Sequence, residues 1–192
     1  MIDNTQTIFI SFSAEINQNT TESLMGLLSD KLNNGFKDFY ILFSTPGGNV
    51  ANGVTLYNYL RSIPAKITMH NIGIVDSIGN LIFLGGEPRY AVPNSSFLFH
   101  GVGFDITQST RFEEKQLKER LNSIGRDQKL MSDIIAERTK LSTDEVGKMF
   151  LEAVTKTPEE AKKVGIINDI KPVTIPSGTQ ILQLVFQQRP WK

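Results

Sequence analysis

Three short apolar runs, Ile8–Phe12, Phe39–Phe43 and Ile67–Ile72, are each followed by a segment that reads as helix. Strand and helix in alternation imply parallel βαβ units, whose crossovers are right-handed. After the first run, Leu24, Leu27, Leu28 and Leu32 share one helical face, Asn19 with Glu22 forms a capping pair, and Gly35 is a stop signal. After the second, Val50, Val54, Tyr57 and Leu60 recur at helical spacing until Pro64. After the third, a sharp connection over Gly73 to Asp76 leads into a helix starting near Ser77, apolar almost throughout to Leu84 and therefore buried. Tyr90–Val92 and Phe97–Phe99 read as two more strands.

The second half is more helical. A long helix is expected from about Ser109 to Thr139, with Thr110 and Glu113 as a capping box. Its apolar stripe is Phe112, Leu117, Leu121, Ile124, Met131 and Ile135. Shorter helices start at Ser142, with Glu145 three residues on, and at Thr157, with Pro158, Glu160 and a Gly165 stop. Ile166–Ile170 reads as a closing strand, and Pro172–Lys192 as a tail with little regularity before Ile181. The 192 residues fit one domain.

Twenty basic and twenty acidic residues cancel, which argues against nucleic-acid or anionic-membrane binding. The absence of cysteine excludes disulfides, thiolate metal sites and a cysteine nucleophile, and agrees with a cytoplasmic location. There is no secretory leader pattern and no apolar run of membrane-spanning length. No cofactor or metal is expected.

Three segments could carry chemistry. Thr45-Pro46-Gly47-Gly48-Asn49 is a strand-to-helix turn whose glycine amides lie at a helix entrance, where they could hold an oxyanion or simply turn the chain. Ser77 stands at a second such junction, as a helix cap or as a nucleophile beside the Ile78 amide, and Asp76 is an alternative cap. His100 ends the Phe97–Phe99 strand and is one of only two histidines; a neutral imidazole there could take a serine proton near pH 7. All three lie at strand C-termini, the edge where open α/β sheets bind ligands.

In that order the motifs resemble those of the Clp protease proteolytic subunit. Phe43-Ser44-Thr45-Pro46-Gly47-Gly48 is similar to the family's strand ending in Ser-Pro-Gly-Gly, and Gly73 to Gly86 to its nucleophile segment, with Ser77 on the serine. Pro93-Asn94-Ser95 with Phe99-His100 resembles its segment carrying the base, and Glu159-Glu160-Ala161 with Gly165-Ile166-Ile167 its closing segment. The resemblance covers about residues 7–171. It implies a crotonase-type α/β fold of repeated β-β-α and β-α-β units, with a head to about residue 103 and a protruding handle helix over about 109–139. It also implies a serine peptidase acting on peptides or unfolded polypeptides. Ser77 would be the nucleophile, His100 the base, and the amides of Gly47, Gly48 and Ile78 the oxyanion hole. The chain near Gly103 would guide extended substrate, and subunits would assemble into a ring, commonly of seven and stacked in pairs.

Four departures qualify that expectation. The family's triad aspartate falls on Ala153; a one-residue shift would make Glu152 the acid, and otherwise the site is a Ser-His dyad of weak or no activity. Asp76 stands where the family has a small residue. The short run before the first strand leaves little chain for axial loops, which argues against an ATP-driven unfoldase partner. The tail over 172–192 has no counterpart, and its Ile181–Phe186 run would cover either a neighbouring subunit or the domain's own surface. The alternative function is a catalytically inactive ring or scaffold subunit.

Overall fold

A computed structural model describes residues 7–103 and 111–186. Strand β1 (Ile8–Ser13) pairs in parallel with β2 (Asp38–Thr45), and β2 with β3 (Lys66–Asp76). Helices α1 (Gln18–Asn33) and α2 (Val50–Ser62) make the crossovers. The cap of α1 is two residues earlier than expected: Asn17 and Thr20 form the capping box, a threonine doing what Glu22 was expected to do. Phe12, Phe39, Phe43, Phe83, Phe97 and Phe99 are fully buried and fill the interior.

The site depends on β3 changing partners. Met69–Asn71 pair with β4 (Arg89–Ala91), whereas Ile74–Asp76 pair with β5 (Ser96–Phe99). Buried Asn71 sits at the branch. Its Nδ2 donates to the Ser96 carbonyl at 2.9 Å, and its Oδ1 accepts from the Gly73 amide at 2.9 Å. The expected sharp connection at Gly73 to Asp76 is therefore the end of a long strand, because β5 supplies fresh backbone partners there. Helix α3 is short, Gly79–Phe83, and wholly buried.

The handle, α4, spans Glu114–Arg138 and is capped by Glu113 with Gln116. Residues 109 and 110, and with them the Thr110 half of the expected capping box, lie outside the described residues. Its last turns bury Met131 and Ile135, while Leu117 and Leu121 are 43% and 64% exposed on the projecting end. The boxes at Ser142 and Thr157 start α5 (Thr143–Glu152) and α6 (Pro158–Lys163) as expected. Between these helices lies a strand the sequence did not suggest, β6 (Val154–Lys156), antiparallel to β5. The closing strand shrinks to β7 (Asp169–Ile170) beside β4.

The tail packs on its own domain. Strand β8 (Ile181–Gln183) pairs in parallel with β1, the Leu184 amide donates to the Ser11 carbonyl at 3.2 Å, and Phe186 meets Phe12 edge-on at 6.0 Å. The sheet order is β6-β5-β3-β2-β1-β8.

His70, the second histidine, is a buried tie for the chain leaving β7. Its Nε2 lies 3.1 Å from the Lys171 carbonyl, which can only accept, so Nε2 carries the proton. Nδ1 then accepts from the Tyr40 hydroxyl at 2.7 Å. Burial holds this imidazole down to about 4, because a charge here would lose its water; the Lys171 carbonyl works against that shift and the Lys171 ammonium adds to it. The folded state thus refuses a proton that the unfolded chain accepts. His70 should cost stability as pH falls from about 6.5 to about 4, by up to ~3 kcal/mol, with a flat contribution above that window. Urea unfolding at pH 7 and pH 5 should show the fall, and His70→Gln should remove most of that slope; an unchanged slope would contradict this reading.

Candidate active site

Ser77 lies between β3 and α3 with φ of +56°, a left-handed conformation that costs a non-glycine residue on the order of 1 kcal/mol. Three backbone bonds hold it there. Its amide donates to the Leu98 carbonyl at 2.8 Å, and its carbonyl accepts from the Asn80 amide and from Asn80 Nδ2, each at 3.1 Å. Asn80 Nδ2 also reaches the Leu98 carbonyl at 2.8 Å. Asn80 is a site residue that the sequence reading passed over; the available signal was one amide inside the apolar run Ile78–Leu84. Its Oδ1 is buried without a hydrogen-bond partner among the described residues.

The Ser77 side chain is not a helix cap. The N-cap of α3 is Ile78, with no side-chain capping bond from Asp76 or Ser77. Among the described residues no hydrogen bond engages Ser77 Oγ, so its strained placement presents a free hydroxyl.

The Gly-Gly turn packs directly on this serine. Gly47 and Gly48 have φ of +91° and +144°. A Cβ on Gly47 would stand 2.7 Å from Ser77 Cβ and 2.9 Å from the Asp76 carbonyl oxygen, and one on Gly48 would stand 2.2 Å from the Ile16 carbonyl oxygen. Only glycine fits either position. The Gly47 amide is engaged by Thr45 Oγ1 at 3.1 Å. The amides of Gly48 and Ile78 have no acceptor among the described residues, so these two donors remain open.

His100 directly follows β5. Val75 pairs with Phe97, and both are buried on the core side; Asp76 pairs with Leu98, and both are half-buried on the other side. Continuing the alternation by one residue places His100 on the face of Asp76 and Leu98. Its Nδ1 lies 2.9 Å from the Gly101 carbonyl. A carbonyl accepts only, so the neutral ring carries its proton on Nδ1 and its lone pair on Nε2. No hydrogen bond joins His100 to Ser77 in this structure. Such bonds are often loose without substrate.

The residue opposite His100 on the neighbouring strand carries no acid. Strand β6 runs antiparallel to β5 with Phe99 opposite Val154, so one step on His100 faces Ala153. Ala153 is the left-handed C-cap of α5, with φ of +52°. Glu152 ends α5, is exposed, and its side chain makes no hydrogen bond among the described residues. Burial pushes the Asp76 carboxyl above the usual aspartate range, while the Leu98 backbone and the charge of His100 pull it back down. Beyond His100, Val102 and Gly103 form one wall of a cleft whose other wall is α4, at Gln116, Glu119 and Ile124. Among the described residues there is no cluster able to hold a metal and no helix long and apolar enough to cross a membrane.

Comparisons with known proteins bear on the fold and the family. The solved structure of a ClpP1 mutant from Listeria monocytogenes is similar with a TM-score of 0.76 and 24% sequence identity, over 88% of this chain and 92% of that one. That likeness shows that the chain shares the mixed α/β fold of that structure. A sequence model of the Clp protease family matches residues 2–173, leaving the β8 tail outside it. The chain belongs to the Clp protease family.

Proposed function

We propose that this chain is a serine peptidase of modest rate that uses a Ser77–His100 dyad. What carries the reading is the serine at a left-handed strand end, its hydroxyl unengaged, packed on Gly47 beside the open amides of Gly48 and Ile78. Ser77 Oγ attacks the peptide carbonyl as its proton passes to Nε2 of His100. The oxyanion lies on the Ile78 and Gly48 amides, with Gly47 framing the turn. His100 returns the proton to the leaving amine, and water then hydrolyses the acyl-enzyme by the same route. The Gly101 carbonyl supports this by fixing the ring tautomer in which Nε2 can accept. Extended peptide or unfolded polypeptide would lie along the backbone at Gly103, in the cleft against α4.

The projecting apolar end of α4, with Leu117 and Leu121, supports assembly into a homo-oligomeric ring of the family type. Strand register favours Ala153 over Glu152 as the position facing His100, so Glu152 has no assigned role. A methyl group cannot orient imidazole or balance imidazolium, and this favours the second reading, a family ring subunit without activity.

A fluorophosphonate probe separates the two. Labelling of the assembled protein that disappears in Ser77→Ala supports the enzyme; an unlabelled wild type supports the inactive subunit. Ala153→Asp should raise the labelling rate roughly 10- to 100-fold, a fraction of the ~10⁴-fold cost of losing a triad acid. Aspartate also tolerates the left-handed backbone there. No gain in a folded Ala153→Asp would contradict the assignment of that position. Gly47→Ala should abolish labelling with the oligomer still formed, because its Cβ displaces Ser77. Retained labelling would show that the turn is not part of the site.

A further inference from the structure

Asp76 is an ionisable group next to Ser77 that the dyad leaves without a task. It does not cap α3, and no lysine or arginine pairs with it among the described residues. The parallel register sets it against Leu98, so His100 is its diagonal neighbour on the same face. Diagonal neighbours stand about 7–8 Å apart at Cα, close enough for side chains to interact. On the other side of His100 stands Ala153, which offers no charge.

We propose that Asp76 is the charge partner of His100, a positioning residue that stabilises the imidazolium formed while Ser77 is being acylated. The proposal rests on the Ser77–His100 reading and adds to it a carboxylate from β3 where the β6 side offers only a methyl. The carboxylate donates and accepts no proton in the reaction; the proton from Ser77 Oγ goes to Nε2 alone. The attraction between His100 and the Asp76 carboxyl already opposes the effect of burial on that carboxyl. The placement also has a cost: a negative charge one residue from the nucleophile opposes the developing oxyanion, which accords with a slow enzyme.

Two measurements test it. The first needs no activity. The carboxyl band of Asp76, identified by its loss in Asp76→Asn, is followed by difference infrared titration of the assembled protein. In His100→Gln it should titrate at higher pH than in the wild type, because an attractive cation has gone. An unmoved band would overturn the proposal.

The second is fluorophosphonate labelling at pH 7. Asp76→Asn should lower the rate roughly tenfold, the effect of about one unit of differential interaction, and Asp76→Glu should recover most of it. In an Ala153→Asp background the same Asp76→Asn change should cost much less, because a second carboxylate then supports His100. Equal losses in both backgrounds, or a faster Asp76→Asn, would assign Asp76 to structure and overturn the proposal. If no form is labelled, the serine reading fails, and the infrared titration still decides whether Asp76 and His100 are coupled.

Discussion

The carbonyl of Leu98 holds this site together. It accepts from the Ser77 amide and from Asn80 Nδ2, each at 2.8 Å, and it lies two residues before His100 on the same strand. One acceptor therefore ties the Ser77 junction to the segment carrying His100. The tie exists because β3 leaves β4 after Asn71 and finds β5 at Ile74. Without that change of partner, Ser77 and His100 would belong to different parts of the sheet.

The same bonds carry a local cost. A left-handed serine is strained, and three backbone bonds with close packing against Gly47 keep it so. Each buried hydrogen bond is worth about 1 kcal/mol net, so the set outweighs the strain of one residue. The strain gives the protein a hydroxyl that takes no part in capping the helix it introduces. Ala153, the other left-handed non-glycine residue among the described residues, faces His100 rather than Ser77.

Much of this was legible in the sequence. Apolar runs marked β1, β2 and the first half of β3, and capping pairs marked α5 and α6, because period and cap chemistry are local. Motif order gave the fold and the residues to watch. What stayed hidden depends on distant partners. The extension of β3 through Gly73 follows from β5, and β6 exists only beside Phe97–Phe99. The tail strand β8 is too short to announce itself without β1. Buried polar ties were equally silent. His70 between Tyr40 and Lys171, Arg89 donating to the carbonyls of Gly86, Gly165 and Ile166, and Asn80 beneath Ser77 are ordinary residues until the fold brings their acceptors near. Asp76 read equally well as a cap or a liability, and only the strand register puts it on the face of His100.

The central claim is that Ser77 and His100 act on one substrate carbonyl. A peptidyl chloromethyl ketone tests this most directly, since it bonds to a serine oxygen and alkylates the imidazole that serves it. Peptide mapping of the treated assembly should find His100 alkylated at Nε2 in the wild type and unmodified in Ser77→Ala. Alkylation of His100 at the same rate in both proteins, or an adduct on neither residue, would contradict the account.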